Sequence, residues 1–309
     1  MAKTRDIRRR ILSVRNIHKI TRTMEKVAQS KGMKLTSRYQ DALAFRRDAA
    51  ALLPEALGVP LDSTSAGQEM CTHALGAVHS REARVLLFCV TSSRGLCGGY
   101  NARVIQAARA QMDAIRAEGK EPALAVLGRK GLAYFRYHSV PVDLSVADAD
   151  ENIPFQRVEE IAGEVCGQFA AGQVDAVRIV STRWKSRAVQ EVRVQGLLPF
   201  LPAMGAAAAG PMAAVPSEGP GGEPLYLAEP NRRGVLNALL PLLVRAELFC
   251  AVLEAMLCEQ AQRSAAMQNA SDNADAMSKR LTRTYNRARQ AQITNEMIEI
   301  ISGSEGGRT

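Results

Sequence analysis

At 309 residues, with 47% hydrophobic residues and a mean hydropathy of −0.11, the chain has the composition of a core-forming protein of one or two domains, which excludes an intrinsically disordered chain. No run of about 18 uninterrupted apolar residues occurs, and the opening MAKTRDIRRR puts charges where a secretory leader needs an apolar core, so direct membrane insertion and export are not expected. The formal charge of +9 is uneven: residues 1–57 hold 14 of the 40 Lys/Arg and 5 of the 31 Asp/Glu, and the remainder is neutral.

In chain order, Ile7, Ile11, Val14, Ile17, Thr21, Met24 and Ala28 recur at three- and four-residue intervals, which predicts an N-terminal coiled-coil helix over 1–57 with Gly58 and Pro60 as stop signals. Gly32 weakens it by about 1 kcal/mol relative to alanine. Residues 58–83 read as loop with a short helix. The unbroken apolar run 84–90 predicts a strand covered on both faces. A turn over 91–101 and a helix near 102–118 follow it. A strand at 123–127 and a helix at 129–137 complete a βαβ unit. A helix near 155–171 precedes a hairpin of 174–183 with 188–198, and the whole of 84–200 reads as a central Rossmann-like α/β domain. Residues 203–224, rich in Ala, Gly and Pro, are expected to be a flexible loop.

The last stretch, 235–301, is expected to be a second coiled-coil helix reaching on the order of 100 Å at about 1.5 Å per residue. Its predicted seam is Met256, Gln260, Arg263, Met267, Ala270, Ala274, Met277, Leu281, Thr284, Ala288, Ala291, Asn295 and Ile298. Neither terminal helix can bury its stripe alone, so the fold class read from the sequence is α/β: a long antiparallel coiled coil of the two terminal helices plus the central domain. So many small and polar seam residues fit either a shaft enclosed by other proteins or a weak coiled coil stabilised elsewhere. Pro241 predicts either a kink or a helix that begins there.

The chemical motifs are weak. The string RGLCGGYN, Arg94 to Asn101, lies between a strand and a helix, but no Lys-Ser/Thr follows its glycines and G-x-G-x-x-G is not met, so it reads as a structural turn. Cys97 has no orienting His nearby in sequence, and Ser92 and Ser93 lack a nucleophile-elbow pattern. The six cysteines form no C-x-x-C pair and read as buried free thiols; no metal or cofactor site is predicted. The basic N-terminal segment keeps open a nucleic-acid-binding coiled-coil adaptor, although it carries only Tyr39 and Phe45 as aromatics.

Three strings then act together. The N-terminal IRRRILSVRNIHKITRTMEKVAQSK (Ile7 to Lys31), the central TSSRGLCGGYN (Thr91 to Asn101) and the C-terminal EQAQRSAAM (Glu259 to Met267), SDN (Ser271 to Asn273) and YNRARQAQITNE (Tyr285 to Glu296) resemble, in this order, the γ subunit of bacterial-type F-type ATP synthases. The close-set cysteine pair of the chloroplast relatives is missing. The resemblance implies a non-catalytic central stalk whose terminal helices enter the ring of α and β subunits, while the α/β domain sits near the ε subunit and the membrane c-ring, peripheral on the cytoplasmic face of the cell membrane. It implies β-subunit loop contacts at Met24, Glu259, Arg263, Arg289, Gln290 and Thr294, and an apolar sleeve around Ile298, Ile300 and Ile301. It implies no catalytic, cofactor or metal residue.

Overall fold

The computed structural model describes residues 2–61, 63–79, 82–147, 149–150, 152–209, 228–229 and 231–306. The first helix, α1 (Ala2–Ala51), stops short of Leu57, and a separate turn of helix, α2 (Leu53–Leu57), follows. Pro54 is the cause: without an N–H it cannot continue the α1 ladder, but it fits the first turn of a new helix. Gly58, at φ +72°, ends α2 in the left-handed conformation. A short helix, α3 (Thr64–Cys71), is capped by Ser63, whose hydroxyl accepts from Ala66 N.

A five-stranded sheet follows, built from β1 (Arg84–Val90), β2 (Glu121–Leu127), β3 (Leu144–Val146), β4 (Ala176–Trp184) and β5 (Gln190–Leu198) in the order β3-β2-β1-β4-β5. The first four run parallel, and β5 closes the edge antiparallel to β4 across an irregularity at Val177 and Arg178. Strand β3 is absent from the sequence reading because three residues are too few to show a period. Helices α4 (Tyr100–Ala117) and α5 (Arg129–Tyr137) cover one face through Val104, Met112, Ile115, Leu132 and Phe135 packed on Val85, Leu87, Leu124 and Val126. The other face, with Leu86, Phe88, Ala125 and Ile179, meets α6 (Phe155–Ala170) and the first part of α8 (Arg232–Gly306).

Two further elements depart from expectation. Residues from 203 were read as the start of a flexible loop, but Pro202–Ala209 form helix α7: proline occupies the first turn and four consecutive alanines follow, alanine being the strongest helix former. The rest of that reading, 210–224, lies outside the described residues. Helix α8 begins at Arg232 rather than at Pro241 and runs through the proline. The missing N–H leaves the Asn237 carbonyl without its ladder partner, and Asn237 is exposed, so water can satisfy it. The first part of α8 is apolar enough to cross a membrane by composition, yet Leu240, Leu243, Val244, Leu248, Val252 and Leu253 are buried in the α/β core.

The chain divides into two compact units: Lys31–Gln262, which holds the sheet, and the residues before Lys31 together with those after Gln262.

Gly128, at φ +101°, links β2 to α5, and a Cβ there would collide with the Thr91 carbonyl. Gly128→Ala is expected to destabilise the chain by about 2 kcal/mol or more, read from the urea midpoint.

Candidate functional surfaces

The glycine-rich turn is closed by its own side chains. Thr91 Oγ1 donates to Leu127 O at 2.8 Å and accepts from Gly131 N at 3.0 Å. Asn101 Oδ1 accepts from Ser92 N at 2.9 Å, while Asn101 Nδ2 donates to Ser92 Oγ at 2.7 Å and reaches Cys97 Sγ at 3.2 Å. Ser93 Oγ donates to Ala149 O at 2.7 Å, and Tyr100 OH donates to Val90 O at 3.3 Å. A phosphate cradle needs donors aimed outward, and a serine nucleophile needs a free hydroxyl beside a base. Here the polar groups stitch β1 to α4 and to the β2–α5 turn, so the loop is structural. Among the described residues, no group of three or more His, Cys, Asp or Glu is placed to hold a metal ion.

In the unit formed by the chain ends, the two helices run antiparallel: Thr4 Oγ1 donates to Gln292 Oε1 at 3.2 Å, and one cleft is lined by His18 with Ser278. The buried and half-buried rows follow a 3,4 repeat on both strands. On α1 the row is Thr4, Ile7, Ile11, Val14, His18, Thr21, Glu25 and Ala28; on α8 it is Met267, Ser271, Ala274, Ser278, Leu281, Tyr285, Ala288 and Gln292. On α1 five of the seven expected positions match and two are shifted by one residue; on α8, over 267–292, four match and four are shifted. Ile17 (49% exposed) and half-buried Met24 give way to His18 and Glu25, and Met277 (55% exposed), Thr284, Ala291, Asn295 and Ile298 give way to their C-terminal neighbours or to solvent. On α8 adjacent rows of Ala, Ser, Thr and Met differ little in apolar content, so composition could not choose between them, whereas on α1 apolar content favours Ile17 and Met24, the row that stands beside the seam. The missed signal was in α1, where the same repeat continues through Leu35, Tyr39, Ala42 and Ala49. Displaced Ile17 and Met24 stand with Ile20 and Val27 beside the seam as a second apolar stripe, with Ile20 58% exposed.

The candidate contact residues differ in setting. Arg289, Gln290 and Thr294 are exposed on α8, with Thr294 Oγ1 donating back to Gln290 O at 2.9 Å. Arg263 is buried at 8% exposure, and Glu259 is half-buried in the α/β unit. Ile298 is exposed at 55%, while the side chains of Ile300 and Ile301 lie outside the described residues.

The α/β unit also buries a polar cluster between α1 and α8. Arg46 Nη1 pairs with Glu247 Oε2 at 2.8 Å, and Glu254 Oε1 accepts from Trp184 N at 2.9 Å and is hydrogen-bonded by Tyr39. Burial pushes the Glu254 carboxyl above its ordinary value. Burial, then the charge of Glu254, pushes the Tyr39 hydroxyl up. Burial also raises the Cys250 and Cys89 thiols, each to about 12.

A mostly parallel α/β sheet joined to long terminal helices, with the glycine-rich turn after β1 closed by its own side chains, defines a class of α/β protein with long paired terminal helices. Solved structures share this fold: a rotor of the Euglena gracilis mitochondrial ATP synthase has a TM-score of 0.60 at 19% identity, covering 94% of this chain and 99% of that one. An F1/c-ring assembly of the same enzyme contains a chain with a TM-score of 0.66 at 19% identity, covering 99% of this chain and 94% of that one. The family model described as ATP synthase matches residues 3–306. The ATP synthase gamma chain of Paracoccus denitrificans is 33% identical over 99% of both chains, and that of Mycolicibacterium vanbaalenii is 35% identical over 98% of this chain and 97% of its own. The chain belongs to the ATP synthase gamma chain family. Nothing in the fold or the relatives supports the nucleic-acid adaptor.

Because the folded Glu254 carboxyl titrates above its ordinary value of 4.5, the native state holds more protons than the unfolded one in that range, and stability falls as pH rises from there. Glu254→Gln is expected to flatten this fall, read from urea midpoints across the window. Alkylation of the native chain at about pH 8 is expected to label exposed Cys71, leaving buried Cys89, Cys97, Cys250 and Cys258 unmodified until denaturant is added, as followed by mass spectrometry.

Proposed function

We propose that the chain is the central rotor stalk of an F-type ATP synthase and couples ion flow through a membrane c-ring to ATP synthesis or hydrolysis at β subunits. The paired terminal helices turn inside a ring of α and β subunits; the α/β unit meets the ε subunit and the c-ring. The chain has no catalytic role of its own and is peripheral on the cytoplasmic face of the cell membrane. The observation that carries this reading is the helix pair itself. Of its sixteen seam residues seven are Ala, Ser or Thr and three more, His18, Glu25 and Gln292, are polar, while a second apolar row, Ile17, Ile20, Met24 and Val27, stands about half exposed beside it. Such a pair buries little apolar surface in its own seam and presents apolar surface outward, which suits a shaft enclosed by a bearing.

In this reading Met24 meets an acidic β-subunit loop amid the basic residues of α1, with Glu259 and Arg263 in the matching part of α8. Arg289, Gln290 and Thr294 touch β-subunit loops, and Ile298 to Ile301 enter an apolar sleeve. The shaft acts by making different contacts with each β conformation, so that a rotor angle and a nucleotide state favour each other reciprocally.

The chain is expected to co-purify with α and β subunits and, alone, to hydrolyse no ATP; isolation as an ATP-hydrolysing monomer would sink the reading. Met24→Lys in the assembled complex is expected to lower proton pumping per ATP at least severalfold while the complex still assembles, because a new cation disturbs the acidic contact. Unchanged pumping would remove Met24 from that contact.

A further inference from the structure

Four of the seven phenylalanines, Phe88, Phe135, Phe169 and Phe200, are buried at 1% exposure or less. The other three, Phe45, Phe155 and Phe249, line one pocket of about 480 Å³ in the α/β unit, where α1, the start of α6 and α8 come together. Single exposed apolar residues are ordinary on a protein surface, but three rings gathered around one open space mark a binding site. The space stays open because Ala42 of α1 and Ala246 of α8 bring only methyl groups to the lining. Its volume falls in the range of about 300–1,000 Å³ that small ligands occupy.

The rings decide what kind of ligand fits. Phe155 and Phe249 meet edge to face, with centroids 5.2 Å apart and planes at 87°, so they form two perpendicular walls. Phe45, 48% exposed, adds a third ring from α1. The face of a phenyl ring carries the negative part of its quadrupole, so such walls offer apolar contact and attraction to a cation at once. The rim adds charge of the same sense. Asp41 is exposed and holds no cation or hydrogen-bond donor among the described residues, whereas Arg38 is engaged, its Nη2 donating to the Ile153 carbonyl at 2.8 Å. A primary ammonium keeps a tight hydration shell that phenyl walls cannot replace. An alkylated ammonium presents methyl or methylene groups to the rings and keeps its charge.

We propose that the pocket bounded by Phe45, Phe155, Phe249 and Asp41 binds a small alkylated organic ammonium ion with an apolar body. This ligand site goes beyond the rotor reading and does not depend on it.

The test titrates the full-length chain by calorimetry with three probes that share one apolar body: phenylbutyl-trimethylammonium, phenylbutanol and phenylbutyrate. The chain has a formal net charge of +9, so non-specific attraction favours the anion. The proposal predicts the reverse order, with the cation bound about tenfold more tightly than either of the others. Asp41→Asn and Phe45→Leu, both at exposed positions, are each expected to weaken cation binding about threefold with the urea midpoint unchanged. Asp41→Asn is expected to leave phenylbutanol binding as it was, while Ala42→Phe fills the space and weakens all three probes. Four results overturn the proposal: no binding of the cation by the folded parent chain, binding of phenylbutyrate or phenylbutanol as tight as that of the cation, cation binding unchanged in either Asp41→Asn or Phe45→Leu, or cation binding that the assembled complex abolishes. The last result assigns the pocket to a side chain of a partner subunit. Failure of the chain to assemble with α and β subunits overturns the rotor reading and leaves this site standing.

Discussion

A parallel sheet exposes two apolar faces, and in this chain the second cannot be covered by crossover helices alone. Helix α6 supplies Val158, Ile161, Val165 and Phe169; the remaining cover comes from Leu236 to Leu257 of α8, with Leu35, Ala49 and Ala50 of α1 in the same core. Each fully buried Leu or Val contributes roughly 1.5–3 kcal/mol, so this face binds the ends of the sequence into the core of its middle. The hydropathy of early α8 follows from this burial. Two long helices also meet here edge to edge, and the charged cluster Arg46–Glu247 with Tyr39–Glu254 lies where their polar edges are covered.

That constraint accounts for the sealed loop at the end of β1. In open α/β folds, ligands bind beyond the carboxyl ends of the strands, where the sheet order reverses. Here residues 91–101 occupy that position and spend their polar groups on Leu127, Gly131, Asn101 and Ala149. Gly128 and Gly131 let the next turn press against Thr91. This chain pairs a mostly parallel sheet with a loop whose side chains tie it to the neighbouring turns.

The α/β core was legible because its signals are strong and local. The run Arg84–Val90 is buried at every position after the first, as a non-alternating strand should be. The end of α1 was misplaced because a terminal Gly-Pro signal outweighed Pro54, which breaks the ladder one turn earlier. Helix α7 was missed because an Ala/Gly/Pro composition averages over a run whose order, proline first and alanines after, is a helix start. The seam register was half legible. Ile7, Ile11 and Val14 point one way, but by Ile17 and Met24 the larger apolar residue stands on the row facing out, and polar His18 and Glu25 take the inner one. Sequence reading assigns the greasier row to the inside, and that rule fails where the outside of the pair is itself a surface to be covered.

The placement of His18 and Glu25 on the inner row follows from the small residues opposite. Ser278 and Ser271 occupy the corresponding levels of α8, leaving room for a large polar side chain whose head reaches water at the edge of a narrow seam. A larger apolar residue at those levels would bury more surface in the seam and lock the pair more firmly. Because polar inner residues contribute little burial, the pair draws its own stability mainly from the Ile11, Val14, Leu281 and Tyr285 level, and the rest of its length stays marginal by itself. A surrounding partner that binds only the paired form adds stability by mass action, at the levels where the seam supplies least.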